Sequence, residues 1–549
     1  MAKLIAVCVA FGGLSLVLPS EASYDPWAWL VWGRELAHLH LDTTGGPSWK
    51  PLPVLVTALA WPLSALDSGL PAAIWMTVAR AGSLLALALA FRLTRRLSGG
   101  GIPGTIAGVF ASCALFLVPD WFQFAAQGSE APIAIALILW AVERQFDARP
   151  EHAVVLGTLA CLLRPELFPL VVVLGALLWR DAPEWRALLP AALVVLAVAW
   201  LVPEWVGAGN PLDGGEQARS EPAWSLSHAE SPWLRALRRL HNHTGLLVEL
   251  LASGAVLWAL ARRKLAVLAL AAAAALLAAM YVAMTQAGFS GNPRYAVPAV
   301  ALWCVLAGVG LARLLEVRRG GVAVGVAGAL ALTVLAAPGV NARVERLRVE
   351  AHEVGRRMDL HHHLAEAVRR TGGATAVNRF GPATVNRALE THLAWELGRP
   401  LSEIETASGQ GVVFSSFREF LAGRRPVRRP ADAIALARAG SWNVYIRRSV
   451  YTTFAGISHL RLSKRNPGIR RVLRGAQGGH TGPTPLLACA VFRNPEVWSQ
   501  EHNDDRPRLP GSRQREHDPA DHCGWPRGGR RDSQALLAPH PEVPAHPQG

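Results

Sequence analysis

Residues 154–179 read "VVLGTLACLLRPELFPLVVVLGALLW", an apolar run long enough to cross a bilayer but interrupted at its centre by Arg164-Pro165-Glu166. The reading of this run decides on which side of the membrane every later loop falls. One kinked helix would carry the chain across once and reverse the loops that follow. Two half-length pieces meeting at the break would return the chain to the side it came from. Short broken helices are tolerated where they line a protein cavity instead of lipid, and the two-piece reading keeps the basic links of the chain on one side.

Working outward from that run, the 549 residues are 51% hydrophobic and 17% charged, where about a quarter of a soluble domain is charged. The apolar residues are clustered. Candidate membrane segments fall at 4–19, 74–94, 102–119, 131–146, 153–163, 166–179, 187–203, 244–261, 265–285, 296–314 and 320–337. This makes about 11 segments, several shorter than the ~20 residues that span about 30 Å of hydrocarbon. The fold class expected is an α-helical polytopic membrane protein with a small extracytoplasmic α/β C-terminal domain. Alternate links carry Arg92, Arg95 and Arg96; Arg144 and Arg149; Arg180 and Arg186; Arg262, Arg263 and Lys264; then Arg318 and Arg319. Cytoplasmic links are the basic ones, which puts residues 21–70 and the loops at 120–130, 204–243 and 286–294 outside. Residues 51–66 hold three prolines and read as a helix lying at the outer interface. The N-terminus resembles a signal peptide, but the spans that follow favour an uncleaved first span in the cell membrane.

Residues 1–339 form the expected membrane domain. Residues 340–490 mix amphipathic stretches with β-like runs such as "GVVF" and "WNVYI", and read as a soluble domain. Residues 491–549 have almost no apolar periodicity and read as disordered. The net charge of +15 is not a nucleic-acid signal, because no DNA- or RNA-binding motif accompanies it; membrane lipids and phosphate-bearing lipid substrates are the expected partners. Cys8, Cys113, Cys161 and Cys304 lie inside apolar runs as small hydrophobes, and the spacing of Cys489 and Cys523 does not require a disulfide. His361, His362 and His363 cannot all face one metal from a regular helix, and no phosphate-loop fingerprint is present.

The stretch "SYDPWAWLVWGREL", residues 23–36, follows the first span. Asp is a favoured N-cap and Pro a favoured first helical residue, so the segment starts a helix whose tryptophans, Trp27, Trp29 and Trp32, suit the headgroup region. A carboxylate there, partly desolvated by indoles, can also accept a proton from an attacking hydroxyl. Both roles are open for Asp25, with Glu21 and Glu35 as the alternatives for the second.

The order of first span, "SYDPWAWLVWGREL", "GPSWKPLP" and "ARAGSLLALALAFRLTRRLSG" resembles the start of the GT-C membrane glycosyltransferases. Within that class it is similar to the polyprenyl-phosphate-sugar-dependent enzymes, among them the protein mannosyltransferase and aminoarabinose transferase relatives. "QGSEAPIAIAL", "LLRPELFPL" and "GNPRYAVPAVAL" are further landmarks, and the resemblance covers residues 1–337. It implies an inverting transfer of a sugar from a polyprenyl phosphate to an acceptor hydroxyl on a glycan, lipid or protein, at the extracytoplasmic face. Asp25 would be the base. Lys50, Arg80, Arg164 and Arg294 would stabilise the leaving phosphate, and Glu130, Glu166 and Tyr295 would complete the substrate site. The first loop lacks the paired acids of many members, having Glu21 and Asp25 instead, which leaves the base and the part of a divalent cation open. Against these roles stand structural ones: Arg80 and Arg164 as ion-pair partners of Glu130 or Glu166, Glu130 as a helix N-terminal acid, and Tyr295 as an interface anchor. A carrier or flippase for lipid-linked or small polar substrates is the alternative function, and a glycan-binding scaffold a third.

Overall fold

The computed structural model describes residues 1–219, 225–316, 322–406, 411–417 and 427–447, with backbone alone for 322–338. The chain divides into two compact units, Met1–Lys464 and Arg465–Gly549. All described residues belong to the first, so Cys489, Cys523 and the tail expected from 491 onward lie outside them.

The first helix, α1 (Ala2–Leu14), ends in a single 3-10 turn. An extended segment then leads to α2 (Tyr24–Ala37), and a loop to α3 (Pro51–Ala60). The long α4 (Leu70–Leu97) crosses back beside α1, followed by α5 (Gly101–Phe116), the short α6 (Trp121–Ala126) and α7 (Ala131–Phe146). The run at 154–179 breaks as expected, between α8 (Pro150–Leu163) and α9 (Phe168–Asp181), with a 3-10 turn at Pro165–Leu167 and α9 packed back on α8. Proline cannot donate to a helix and disfavours helical geometry in the residue before it, and Arg164 is accordingly extended, at φ −148° and ψ 102°.

Next come α10 (Leu188–Ala208), α11 (Asp213–Gln217) and α12 (Pro232–Thr244). A bend of 91° at Gly245 separates α12 from α13 (Leu246–Ala261). Gly245 has φ +82°, a conformation open to glycine at no steric cost. The membrane part closes with α14 (Leu265–Gln286) and α15 (Pro293–Glu316). Among the described residues four helices are long and apolar enough to cross a membrane, or five if α12 and α13 together make one bent span, and α1, α3, α5 and α8 are shorter apolar helices. This is a helical membrane fold, and the expected count of about 11 segments is not established by it.

Past the membrane part, α16 (Val322–Arg370) runs as one helix through position 339, where the sequence changes character. It is followed by α17 (Gly373–Arg379) and α18 (Glu390–Leu397). The strands are β1 (Ala383–Thr384), β2 (Ile404–Glu405), β3 (Val412–Ser416), β4 (Ala433–Ala439) and β5 (Trp442–Arg447), in the order β2-β1-β3-β5-β4. β1 pairs in parallel with β2 and β3, while β5 pairs antiparallel with β3 and β4. Thus "GVVF" and "WNVYI" do supply strands, and Trp442, Val444 and Ile446 alternate onto the buried face, as period-2 geometry requires.

Two large apolar cores result, beside a small one of Ala22, Trp27, Leu30 and Met76. The larger is built from α4, α7, α8, α13, α14 and α15. The second joins Trp29, Trp32 and Trp49 to Leu364, Leu393, Val412 and Trp442. The tryptophans of α2 therefore do not form a lipid-facing belt. Trp29 and Trp32 are fully buried and Trp27 nearly so, because α18 packs on α2. Burying an indole removes more apolar surface from water than placing it among headgroups.

Candidate active site

The chain reaches one point at the start of helix after helix. Asp25 lies in the first turn of α2, before Pro26. Lys50 precedes Pro51 of α3 and is extended, at φ −141° and ψ 110°. Glu130 stands at the N-cap of α7, two residues before Pro132. Arg164 precedes Pro165, and Arg294 with Tyr295 follows Pro293 at the start of α15, where the Asn292 side chain accepts from the Arg294 backbone N–H at 3.1 Å. Proline at the first helical positions fixes each entry.

These segments bring seven of the expected site residues together: Asp25, Lys50, Glu130, Arg164, Glu166, Arg294 and Tyr295. Arg294 Nη1 donates to Asp25 Oδ2 at 2.5 Å, and Lys50 Nζ lies 3.9 Å from the same oxygen. Lys50 also donates to Glu130. Arg164 Nη1 donates to Glu130 Oε1 at 2.8 Å and its Nε to Glu166 Oε1 at 2.7 Å. Ser129 Oγ donates to the other Glu130 oxygen at 3.2 Å. Two guanidiniums flank the Tyr295 ring, Arg164 at 4.7 Å and Arg294 at 5.7 Å from its centroid. Lys50 Nζ stands 5.4 Å from the Trp29 ring centroid, within cation–π range.

Three cations and three carboxylates thus balance when all are ionised. Glu130 is 0% and Arg164 1% exposed, while Asp25 at 9% lies at the wetter edge. Burial opposes the charge on Glu130, but Lys50, Arg294 and Arg164 together hold it below the usual carboxylate range. Burial pulls the Lys50 ammonium below its ordinary range, against Glu130 and Asp25. At the site, the Nε of Arg294 and the indole Nε1 of Trp29 are buried donors with no hydrogen-bond partner among the described residues. Among the described residues no group of three His, Cys, Asp or Glu side chains can hold a metal ion. Each acid of the cluster grips a cationic side chain instead.

Arg80 stands apart. It donates to the carbonyl of Ser15, to Ser15 Oγ at 3.1 Å and to the carbonyl of Pro19 at 3.3 Å, tying off the end of the first apolar segment. Neither Glu130 nor Glu166 pairs with it. Glu21 accepts from the Trp27 indole at 3.1 Å and lies 2.9 Å from His361 Nδ1. Glu35 accepts from the backbone N–H of Asp42 at 3.1 Å. Of the three acids considered for the base, Asp25 is the one in contact with the cations. Sequence reasoning did not find Ser129, the Trp29 face under Lys50, or the hydrogen bond from Tyr24, beside Asp25, to Glu390 of α18. Trp29 carried a signal in its i, i+4 spacing from Asp25; Glu390, remote in sequence, carried none.

No family model matches the chain, and no curated protein does. Two similar solved structures are crystal structures of ArnT from Cupriavidus metallidurans. The one bound to undecaprenyl phosphate is 18% identical, with a TM-score of 0.48, over 82% of this chain and 98% of that one. The apo state is 17% identical, with a TM-score of 0.44, over 81% and 97%. ArnT is a GT-C glycosyltransferase. At these identities and TM-scores, the function of the present chain rests on the geometry of its own site.

Proposed function

We propose that the chain is a GT-C type membrane glycosyltransferase that moves a sugar from a polyprenyl-phosphate donor to an acceptor hydroxyl at the extracytoplasmic face, with inversion. The observation that carries this reading is the gathering of Asp25, Lys50 and Arg294, from three distant segments, around one carboxylate edge. The positive ends of α2, α3, α7 and α15 favour an anion at the same place.

In the transfer, the acceptor oxygen bonds to the anomeric carbon from the face opposite the phosphate. Its proton passes to Asp25 while the bond from the anomeric carbon to the phosphate oxygen breaks. Negative charge then grows on the departing lipid phosphate, where Lys50 and Arg294 meet it. Preorganised cations in a water-poor site are the largest lever on such a step. Arg294 holds Asp25 in the free protein, so donor binding must draw the guanidinium onto the phosphate and release Asp25 as base. The free Arg294 Nε suits a second bond to the incoming anion. Glu130 and Glu166 hold Arg164, which in turn supports the Tyr295 ring on which a sugar face can rest. In this reading the C-terminal elements, whose α18 packs on α2, receive the acceptor.

The test uses purified protein in vesicles with a labelled polyprenyl-phosphate sugar. Acceptor-dependent release of free polyprenyl phosphate supports the enzyme. The break between α8 and α9 and the bend at Gly245 are also features of carriers, and a donor that crosses the bilayer intact, with no release, would replace this reading with transport.

A further inference from the structure

Outside the site, α12 has an unusual surface. Ala236, Leu240, His243 and Thr244 are buried against the bundle. Turning away from that face, Trp233 at 49% and Leu237 at 43% are exposed, and they are i, i+4 neighbours on one stripe. Further round, beyond the exposed His241, come Arg238 and Arg235, both exposed, and among the described residues no acid pairs with either. Protein, exposed apolar side chains and free cations therefore follow one another around the circumference. A helix lying in a membrane surface presents that sequence of faces.

Two observations fix the orientation and the occupant. The 91° bend at Gly245 turns α12 across the axis of α13. The outer stripe of α13, Leu246, Leu250, Leu257 and Leu260, is more than half exposed, so exposed apolar side chains stand on both arms of the bend. Arg239 meanwhile donates to the carbonyl of Gly291 at 3.0 Å, which places α12 at the end of the bundle where Arg294 enters α15. We propose that α12 is a surface helix that binds anionic lipid headgroups through Arg235 and Arg238, with Trp233 and Leu237 set among the acyl chains beneath them. Each arginine adds attraction to an anionic leaflet within a Debye length.

The experiment needs no substrate, so its outcome is separate from that of the sugar-transfer reading. The full chain is placed in vesicles of phosphatidylcholine with increasing phosphatidylglycerol, and deuterium uptake over 232–244 is followed. Uptake is expected to slow as phosphatidylglycerol rises. R235Q/R238Q, exposed and clear of the Arg239 contact, should lose the phosphatidylglycerol-dependent part of the protection, the affinity for the anionic surface falling on the order of 25-fold, about fivefold per arginine. L237Q should lose protection in both lipids. Uptake indifferent to phosphatidylglycerol, or a double variant that responds like the parent, would overturn the proposal. So would equal protection from inorganic phosphate added to phosphatidylcholine vesicles, which would mark a free-anion site instead.

Discussion

Glu130 has no contact with water and three cations within reach, and that imbalance sets what its loss would do. Removing one member of a buried ionic network leaves its partners uncompensated, at a cost of about 3–5 kcal/mol. Glu130→Gln should therefore lower the unfolding midpoint in detergent strongly, and Lys50→Met together with Glu130→Gln should recover part of the loss; an unchanged midpoint in the single variant would mean the network is not formed. A second group of residues predicts a pH profile. Burial raises Glu21 to about 7, against His392, the Trp27 indole and Arg357. Burial lowers His361 to about 3 and lowers His392 as well, with Glu396 opposing both shifts. For an acid raised on folding, stability is present below its unfolded value and is lost as pH rises from about 4.5 to 7; for a histidine lowered on folding, stability is lost as pH falls from about 6.5 to 3. Between about 4.5 and 6.5 the Glu21 and His361 trends oppose one another while His392 adds to the histidine side, so this cluster should gain stability gently as pH rises to about 6.5, lose it between 6.5 and 7, and lose it steeply below about 4.5. Thermal melts of Glu21→Gln should show a shallower upper fall, the remainder belonging to Glu35, which burial also raises to about 7, and an unchanged lower one. The charged residues of the site could be picked out of the sequence because Asp25-Pro26, Lys50-Pro51, Arg164-Pro165 and Pro293-Arg294 each mark charge at a helix start. Their pairing could not, since Arg80 looks the same by composition and yet serves backbone carbonyls.

Between elements, α13 and α15 pack with their backbones in near contact. A Cβ on Gly310 would lie 2.0 Å from the Leu251 carbonyl oxygen, and backbone on the facing helix cannot swing aside as a side chain can. Overpacking of this kind costs about 1–3 kcal/mol or more. Gly310→Ala should reduce the yield of monodisperse protein and lower its melting temperature by several degrees, whereas Gly254→Ala, which meets open space on α13, should leave both unchanged. Equal behaviour of the two would put the α13–α15 contact in doubt. The break of α8 from α9 was legible because Pro165 forbids a continuous helix. The burial of Trp27, Trp29 and Trp32 was not, because an indole at a membrane edge and an indole under a second layer have the same sequence neighbours. The cover comes from α18, more than 350 positions later.

Across the whole molecule, the two ends of the bundle are chemically distinct. Arg92 and Arg96 of α4 meet Glu143 and Asp147 at the end of α7, and Arg313 of α15 reaches the Leu97 carbonyl. The helices that end there begin, for α7 and α15, at Glu130 and Arg294, so the arginine-bearing links and the ion cluster occupy opposite ends. Alternation of basic links along the sequence anticipated this separation, since each crossing exchanges the ends. Cysteine labelling from outside intact cells should modify Leu39→Cys and spare Arg95→Cys, both at exposed positions; the reverse pattern would place the cluster in the cytosol and remove the lipid-phosphate donor from reach of an external acceptor. The most direct measurement is turnover by Asp25→Asn in vesicles, beside the parent protein, with a labelled polyprenyl-phosphate sugar and acceptor. The account predicts that the variant inserts and binds the donor but releases less than about a hundredth of the free lipid phosphate; release at the parent rate would contradict it.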